Sequence, residues 1–285
     1  MGKTIAVIGG DLRQLSTARL LSDDGYDVKL YGFGKDCMPL EYKYKNSLDE
    51  LGDCEIIIFP MPATQDMKNV NAPFSNETIS FESIKENLKN VKLILGGRMN
   101  KQLCDSFGGI KCIDYYQRED IKILNAVPTA EGAIEIAMSE TARTINKTNC
   151  LVIGYGRIGK VLSKYLHSLG ANVYVSCRKC EDMAWINVNG YNAIHNNCIK
   201  DYASKFDIIF NTAPAMILDE KILKLINPDC VIIDLASKPG GIDFEKASDF
   251  GLNVIWALSL PGKVAPLTSG KIIKDTIINI FNEEG

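Results

Sequence analysis

A chain of 285 residues has room for two domains at roughly 150 residues each, and 46% apolar with 24% charged residues is ordinary for a soluble globular protein. Its 23 glycines and 10 prolines are too few for a collagen-like or low-complexity chain. A formal charge of −3 offers no basic excess to attract nucleic acid or an anionic membrane, and neither is expected as a partner.

The longest aliphatic and aromatic run, Ile56-Ile57-Ile58-Phe59, falls far short of the ~18 residues that span a bilayer. After Lys3, only Ile5-Ala6-Val7-Ile8 precedes Gly9-Gly10-Asp11, which is no secretory leader. Residues 4–8 predict a strand, and Leu15, Ala18 and Leu21 a helix that Gly25 ends. Further strands follow at 28–31, 55–59, 91–95 and 111–114. The run at 55–59 is continuously apolar rather than alternating, as in a buried parallel strand, and Pro60 and Pro62 stop it. Strand, helix, strand at this spacing implies right-handed crossovers and a parallel sheet.

Pro128-Thr129 opens a helical segment running from 130 to about 146. A second α/β series then places strands at 150–153, 172–176, 207–211, 231–235 and 253–256. In 268–282, Ile272, Ile273, Thr276, Ile277 and Ile280 share one helical face. The expected architecture is α/β: two Rossmann-like parallel-sheet domains joined by a hinge helix, with an active-site cleft between them. The boundaries are 1–128 plus a returning helix at 268–285, a linker helix at 129–147, and a nucleotide domain at 148–267.

Nine cysteines, at 37, 54, 104, 112, 150, 177, 180, 198 and 230, are odd in number and scattered. That pattern fits reduced thiols in a cytoplasm better than a disulfide framework. Cys177 and Cys180 form a single C-x-x-C, and His167 and His195 are the two histidines, so no metal site is expected.

Gly154-Tyr155-Gly156-Arg157-Ile158-Gly159 has the context that a lone G-x-G-x-x-G lacks. The apolar run Leu151-Val152-Ile153 precedes it, and Ile158, Val161, Leu162, Tyr165, Leu166 and Leu169 follow at helical spacing up to Gly170. Gly154 permits the tight turn, Gly156 lets backbone approach a pyrophosphate, and Gly159 packs helix on strand. The amides of Arg157 and Ile158 then face the phosphate charge. At the end of the next strand an NAD-binding domain carries an acid for the ribose. This sequence reads Ser176-Cys177-Arg178-Lys179, with no acid until Glu181. A hydroxyl from Ser176 and the cations Arg178 and Lys179 suit a 2′-phosphate, so NADP is expected over NAD. Gly9-Gly10-Asp11-Leu12-Arg13-Gln14 lacks the third glycine, and Asp11 would repel a pyrophosphate.

Several segments resemble the dipicolinate synthase A-subunit family of spore-forming bacteria. They are Ile5–Asp11 with Arg13-Gln14, Val70-Asn71-Ala72-Pro73-Phe74, Tyr115-Tyr116-x-Arg118-Glu119-Asp120 and Asn125–Ala133, then the glycine motif, Asp234–Gly241 and Leu260–Pro266. Residues 128–132 and 261–268 are more remotely similar to alanine dehydrogenase and methylenetetrahydrofolate dehydrogenase. The resemblance implies NADP-linked oxidation of a dihydropyridine dicarboxylate precursor to dipicolinate during sporulation. It also implies the flavoprotein-like dipicolinate synthase B-subunit as partner and the mother-cell cytoplasm as location. A homo-oligomer is expected.

A dicarboxylate calls for cations, and arginine's fork matches a carboxylate best. The substrate candidates are Arg13 and Arg98 in strand-end loops, Arg118, and Lys263 after the last strand of the nucleotide domain. Thr212, Ala213, Pro214, Leu235 and Ala236 lie in strand-end loops that would line the nicotinamide. Thr129 and Glu131 open the hinge helix, where a carboxylate could take a ring proton or simply complement the helix dipole. Two rivals remain open: another NADP dehydrogenase of the alanine or methylenetetrahydrofolate type, and a non-catalytic NADP-binding scaffold.

Overall fold

The computed structural model describes residues 3–34, 43–45 and 47–284, and in it two sheets form whose named strands all pair in parallel. Cys37 lies outside the described residues. Contacts divide the chain into Met1–Leu124 with Ala265–Gly285, and Asn125–Val264.

In the first unit the strands are β1 (Thr4–Ile8), β2 (Asp27–Tyr31), β3 (Ile56–Ile58), β4 (Leu93–Gly96) and β5 (Lys111–Asp114), in the order β2-β1-β3-β4-β5. Its helices are α1 (Leu12–Asp23), α2 (Phe81–Lys85), α3 (Lys101–Asp105) and α4 (Glu119–Leu124). This is a doubly wound order whose switch point falls between β1 and β3. Two apolar layers cover the sheet. One includes Ile5, Val7 and Ile58, the other Ala6, Ile57 and Ile94, so alternate residues of each strand supply opposite faces.

The second unit opens with α5 (Ala126–Glu140). The helix begins ahead of the expected Pro128-Thr129 opening, because proline is tolerated in a first turn that needs no N–H donor. It ends before Thr141, whose φ of −109° and ψ of 138° are extended. Ala130, Ala133, Ile134 and Ala137 pack it into the core that holds Val152 and Ile233, making it part of this unit rather than a free-standing linker.

Then come β6 (Asn149–Ile153), α6 (Arg157–Ser168), β7 (Asn172–Cys177), α7 (Cys180–Val188), β8 (Asn192–His195), β9 (Ile208–Asn211) and α8 (Glu220–Leu223). The unit closes with β10 (Val231–Asp234), α9 (Phe244–Asp249), β11 (Asn253–Trp256) and α10 (Leu260–Val264). The order β11-β10-β9-β6-β7-β8 is the Rossmann arrangement, with its switch point between β6 and β9. β8 is a sixth strand that apolar patterning does not announce, since only Ile194 of its four residues is buried at this sheet edge.

The last helix, α11 (Pro266–Glu284), belongs to the first unit. Ile272, Ile273, Ile277, Ile280 and Phe281 enter the same layer as Leu15, Ala18 and Leu21 of α1. Close approach explains Gly270: a Cβ there would stand 2.5 Å from the Ser16 Cβ. The Thr17 hydroxyl donates to the Gly270 carbonyl at 3.0 Å and to the Arg13 carbonyl at 2.8 Å.

Candidate functional site

Both units present a glycine turn followed by a helix after their first strand, and the two helix starts differ in one decisive respect. Asp11 caps α1: its carboxylate accepts from Arg13 N at 2.9 Å, while Gln14 reaches back to Asp11 N at 3.2 Å. The α1 start is therefore already satisfied by an anion of the chain. At α6 the cap is Gly156, which has no side chain to offer the first turn. A Cβ on Gly156 would meet nothing within 4 Å, so space is open beside the turn. Gly154 takes φ +97°, and a Cβ there would stand 2.7 Å from the Thr212 Oγ1. Gly159 abuts the Gly154 carbonyl. The turn sits at the switch point, with Thr212 donating its hydroxyl to the Ile153 carbonyl at 2.9 Å. An uncapped helix start beside open space fits a pyrophosphate.

Beyond β7 the side chains diverge from the sequence expectation at one position. Arg178 and Lys179 are exposed past the strand end; Lys179 pairs loosely with Glu181 at 3.3 Å. Ser176, expected to offer its hydroxyl there, is instead wholly buried within the sheet, between Ile153 and Ile194 in register. Its Oγ has no hydrogen-bond partner. Burial pushes the Cys177 thiol up, opposite to the shift that a reactive or metal-binding thiolate requires. Among the described residues no cluster of three metal-ligating side chains occurs.

The loops after β9 and β10 are held by a pair that the sequence reading overlooks. Asp234, fully buried, accepts from the Asn211 amide at 2.8 Å, from Ala236 N at 2.9 Å and from Gly241 N at 2.9 Å. Asn211 also donates to the Ala213 carbonyl and accepts from Ala213 N. Both polar side chains thus spend their hydrogen bonds on loop backbone, which fixes Thr212, Ala213 and the exposed Pro214. Leu235 and Ala236 depart from expectation. Both are buried: Leu235 N donates to the Asn211 carbonyl, and the Ala236 carbonyl accepts from the Trp256 indole at 3.0 Å. The exposed part of that loop is Ser237-Lys238-Pro239.

The expected cations also part company. Arg13 is 5% exposed, grips Asp11 through Nε at 2.9 Å and Nη2 at 2.8 Å, and donates from Nη2 to the Met61 carbonyl at 2.7 Å. It braces the loop after β3 and is no free substrate cation. Arg118 is likewise committed, to Glu283 at 2.7 Å and Asp120 at 3.2 Å, and those carboxylates raise its pKa further. Arg98 differs. It is exposed after β4, sits at φ +59°, anchors its N–H on Asp114 Oδ1 at 2.8 Å, and lies 5.1 Å over the Tyr116 ring. A non-glycine residue held in the left-handed region is a feature of functional loops. Lys263 is exposed on α10.

In α5 the Thr129 hydroxyl donates to the Asn125 carbonyl at 2.7 Å. Glu131, expected near the chemistry, is exposed and lines a groove with Met138, Tyr165 and Leu169 toward the far end of α6 from the glycine turn. Asn125 is a residue the sequence reading did not single out: 7% exposed, with both side-chain polar atoms unpartnered.

Over an alignment of 287 positions the chain is 33% identical to the dipicolinate synthase A-subunit of Bacillus subtilis (strain 168), covering 99% of this chain and 97% of that protein. The chain belongs to the dipicolinate synthase A-subunit family. The family profile for the dipicolinate synthase A-subunit N-terminal domain matches residues 4–116, the span of the first sheet. The crystal structure of the dipicolinate synthase A-subunit from Bacillus halodurans superposes with a TM-score of 0.89 at 32% identity, covering 98% of each chain. A transhydrogenase from Sinorhizobium meliloti shares the fold at a TM-score of 0.72 and 13% identity, covering 98% of this chain and 94% of that one.

Proposed function

We propose that this member of the dipicolinate synthase A-subunit family is an NADP-dependent oxidoreductase that converts a dihydrodipicolinate-type precursor to dipicolinate, acting with the B-subunit in the cytoplasm of the sporulating mother cell. The observation that carries the nucleotide half of this reading is the uncapped start of α6 behind Gly156, set against the Asp11-capped start of α1.

NADP, when bound, supplies the hydride acceptor. The first-turn amides of Arg157, Ile158 and Gly159 hold the pyrophosphate, and Gly154 and Gly156 keep side chains out of its way. Arg178 and Lys179 pair with the 2′-phosphate, where a carboxylate would repel it. The loop Thr212-Ala213-Pro214, stiffened through Asn211 and Asp234, lines the nicotinamide. In the first unit, Arg98 anchors a substrate carboxylate, its backbone set by Asp114 and its guanidinium flattened over Tyr116. Lys263 is a second candidate cation. Oxidation removes a hydride from one ring carbon and releases a proton, so the chain's main task is to orient a dianion.

The test is a coupled assay that follows NADPH absorbance and dipicolinate together from freshly made precursor, with and without the B-subunit. Stoichiometric appearance of both supports the reading. Nucleotide binding with no turnover, even when the B-subunit is present, overturns the enzyme reading in favour of a scaffold.

A further inference from the structure

The C-x-x-C pair that the sequence displays is not where two sulfurs meet. Cys177 Sγ donates to the Lys179 carbonyl at 3.6 Å, and Cys180 is exposed. The meeting lies in the first unit, between two cysteines that no motif marks. Cys112 of β5 donates its S–H to Cys104 of α3, with 2.7 Å between the sulfurs. That leaves roughly 0.7 Å to a disulfide bond of about 2.05 Å. Among the described residues no other two cysteine sulfurs come within hydrogen-bond reach.

Local structure brings the pair together. α3 ends at Asp105, and Gly108 and Gly109, at φ +67° and +87°, turn the chain back into β5. The buried Phe107 anchors this turn in the apolar layer against which Cys104 and Cys112 also pack. β5 is the edge strand of its sheet. Both cysteines are only half-buried, whereas Cys54, Cys150, Cys177 and Cys230 are buried. A small reagent therefore has access to this pair.

Burial pushes the Cys112 thiol up, and its hydrogen bond to Cys104 adds to the shift. Cys112 thus keeps its proton, and Cys104, which accepts that S–H, is the sulfur placed to attack first. We propose that Cys104 and Cys112 form a dithiol site that a low-molecular-weight disulfide oxidises to an intramolecular bridge. The Cys104 thiolate attacks one sulfur of the reagent, whose S–S bond breaks and releases one small thiol. Cys112 then loses its proton and attacks the Cys104 sulfur, expelling the second small thiol. Two electrons pass from the protein pair to the reagent, and both protein protons leave on the small thiols. The bridge ties α3 to the strand that carries Asp114, on which the Arg98 backbone is anchored.

The experiment treats the folded full-length chain with oxidised glutathione, blocks the remaining thiols with iodoacetamide, and maps tryptic peptides without reduction. Trypsin cuts after Lys101, Lys111 and Arg118, so the two cysteines fall on separate peptides, Gln102–Lys111 and Cys112–Arg118. Oxidised wild type is expected to yield these peptides joined, lighter by two hydrogens than their sum, and parted again by dithiothreitol. Cys112→Ser should stop at the mixed disulfide, with glutathione held on Cys104. Cys104→Ser should take up glutathione on Cys112 about tenfold more slowly. Circular dichroism checks that both variants are folded. Wild type that ends with glutathione on each cysteine separately, or with both still open to iodoacetamide, overturns the proposal. A bridge between Cys177 and Cys180 in place of the joined peptides also overturns it.

Discussion

Arg13 and Arg98 are both arginines at the carboxyl ends of strands in one sheet, yet their surroundings give them different work. Arg13 is buried with two nitrogens on Asp11 and one of them also on the Met61 carbonyl, so truncation leaves that carbonyl without this donor and Asp11 without its cation, with the residue 13 N–H still on its carboxylate. Arg13→Ala is expected to lower stability by about 2–3 kcal/mol, read from urea denaturation. Arg98 has its guanidinium on the surface over Tyr116. Arg98→Ala should leave stability nearly unchanged while raising the substrate KM and lowering kcat, with NADP affinity intact. Unchanged substrate kinetics in Arg98→Ala would remove it from the site. Sequence alone made these two arginines look equivalent. The distinguishing signal was present, though local: Asp11-x-x-Gln14 is the spacing of a capping box, which commits Asp11, and with it Arg13, to the helix start. No local signal marks Asp114, which comes from β5 to fix the Arg98 backbone.

At the scale of the element, α6 carries the nucleotide argument. Gly156→Val adds a side chain into open space, so the fold should persist while the pyrophosphate loses its approach. Calorimetry is expected to register no NADPH binding, with an unchanged circular dichroism spectrum; normal binding would relocate the nucleotide. The turn after β7 sets the choice of nucleotide. Replacing both Arg178 and Lys179 by Ala should cost ~1–3 kcal/mol per lost hydrogen bond to the 2′-phosphate and leave NAD affinity unaltered. Equal wild-type Kd values for NADP and NAD would defeat that assignment. Elements with continuous apolar runs, such as Ile56–Ile58, were readable because a strand buried on both faces needs no alternation. Edge strand β8 was not, since one buried isoleucine is no pattern. Ser176 was misplaced for a related reason: a polar residue one position inside the strand end reads like a loop residue, yet the sheet closes over it.

For the whole molecule, each sheet has its own apolar layers, and the proposed nucleotide contacts fall within Asn125–Val264. NADP at a hundred times its Kd should then stabilise that unit by about 2.7 kcal/mol. Amide exchange in β6, α6 and β7 is expected to slow on adding NADP. Slowing confined to β1 and α1 would instead put the nucleotide in the first unit. The order of strands was not written in any local pattern, because register and neighbour are decided by packing across distant segments; only the spacing of strands and helices told of parallel sheets.

The seating of α11 against α1 has a consequence for how the protein is made. As the ribosome delivers the chain, β1 to β5 emerge first, but the helix that covers Leu15, Ala18 and Leu21 comes last, after the whole of Asn125–Val264. Throughout that interval the earliest sheet lacks Ile273, Ile277 and Phe281, and its apolar face stays open to other nascent chains. The second unit, being continuous, takes no part from Ala265–Gly285. Synthesis therefore completes the later unit before the earlier one, and a ribosome stalled near codon 265 would release a chain whose uncovered first sheet invites aggregation.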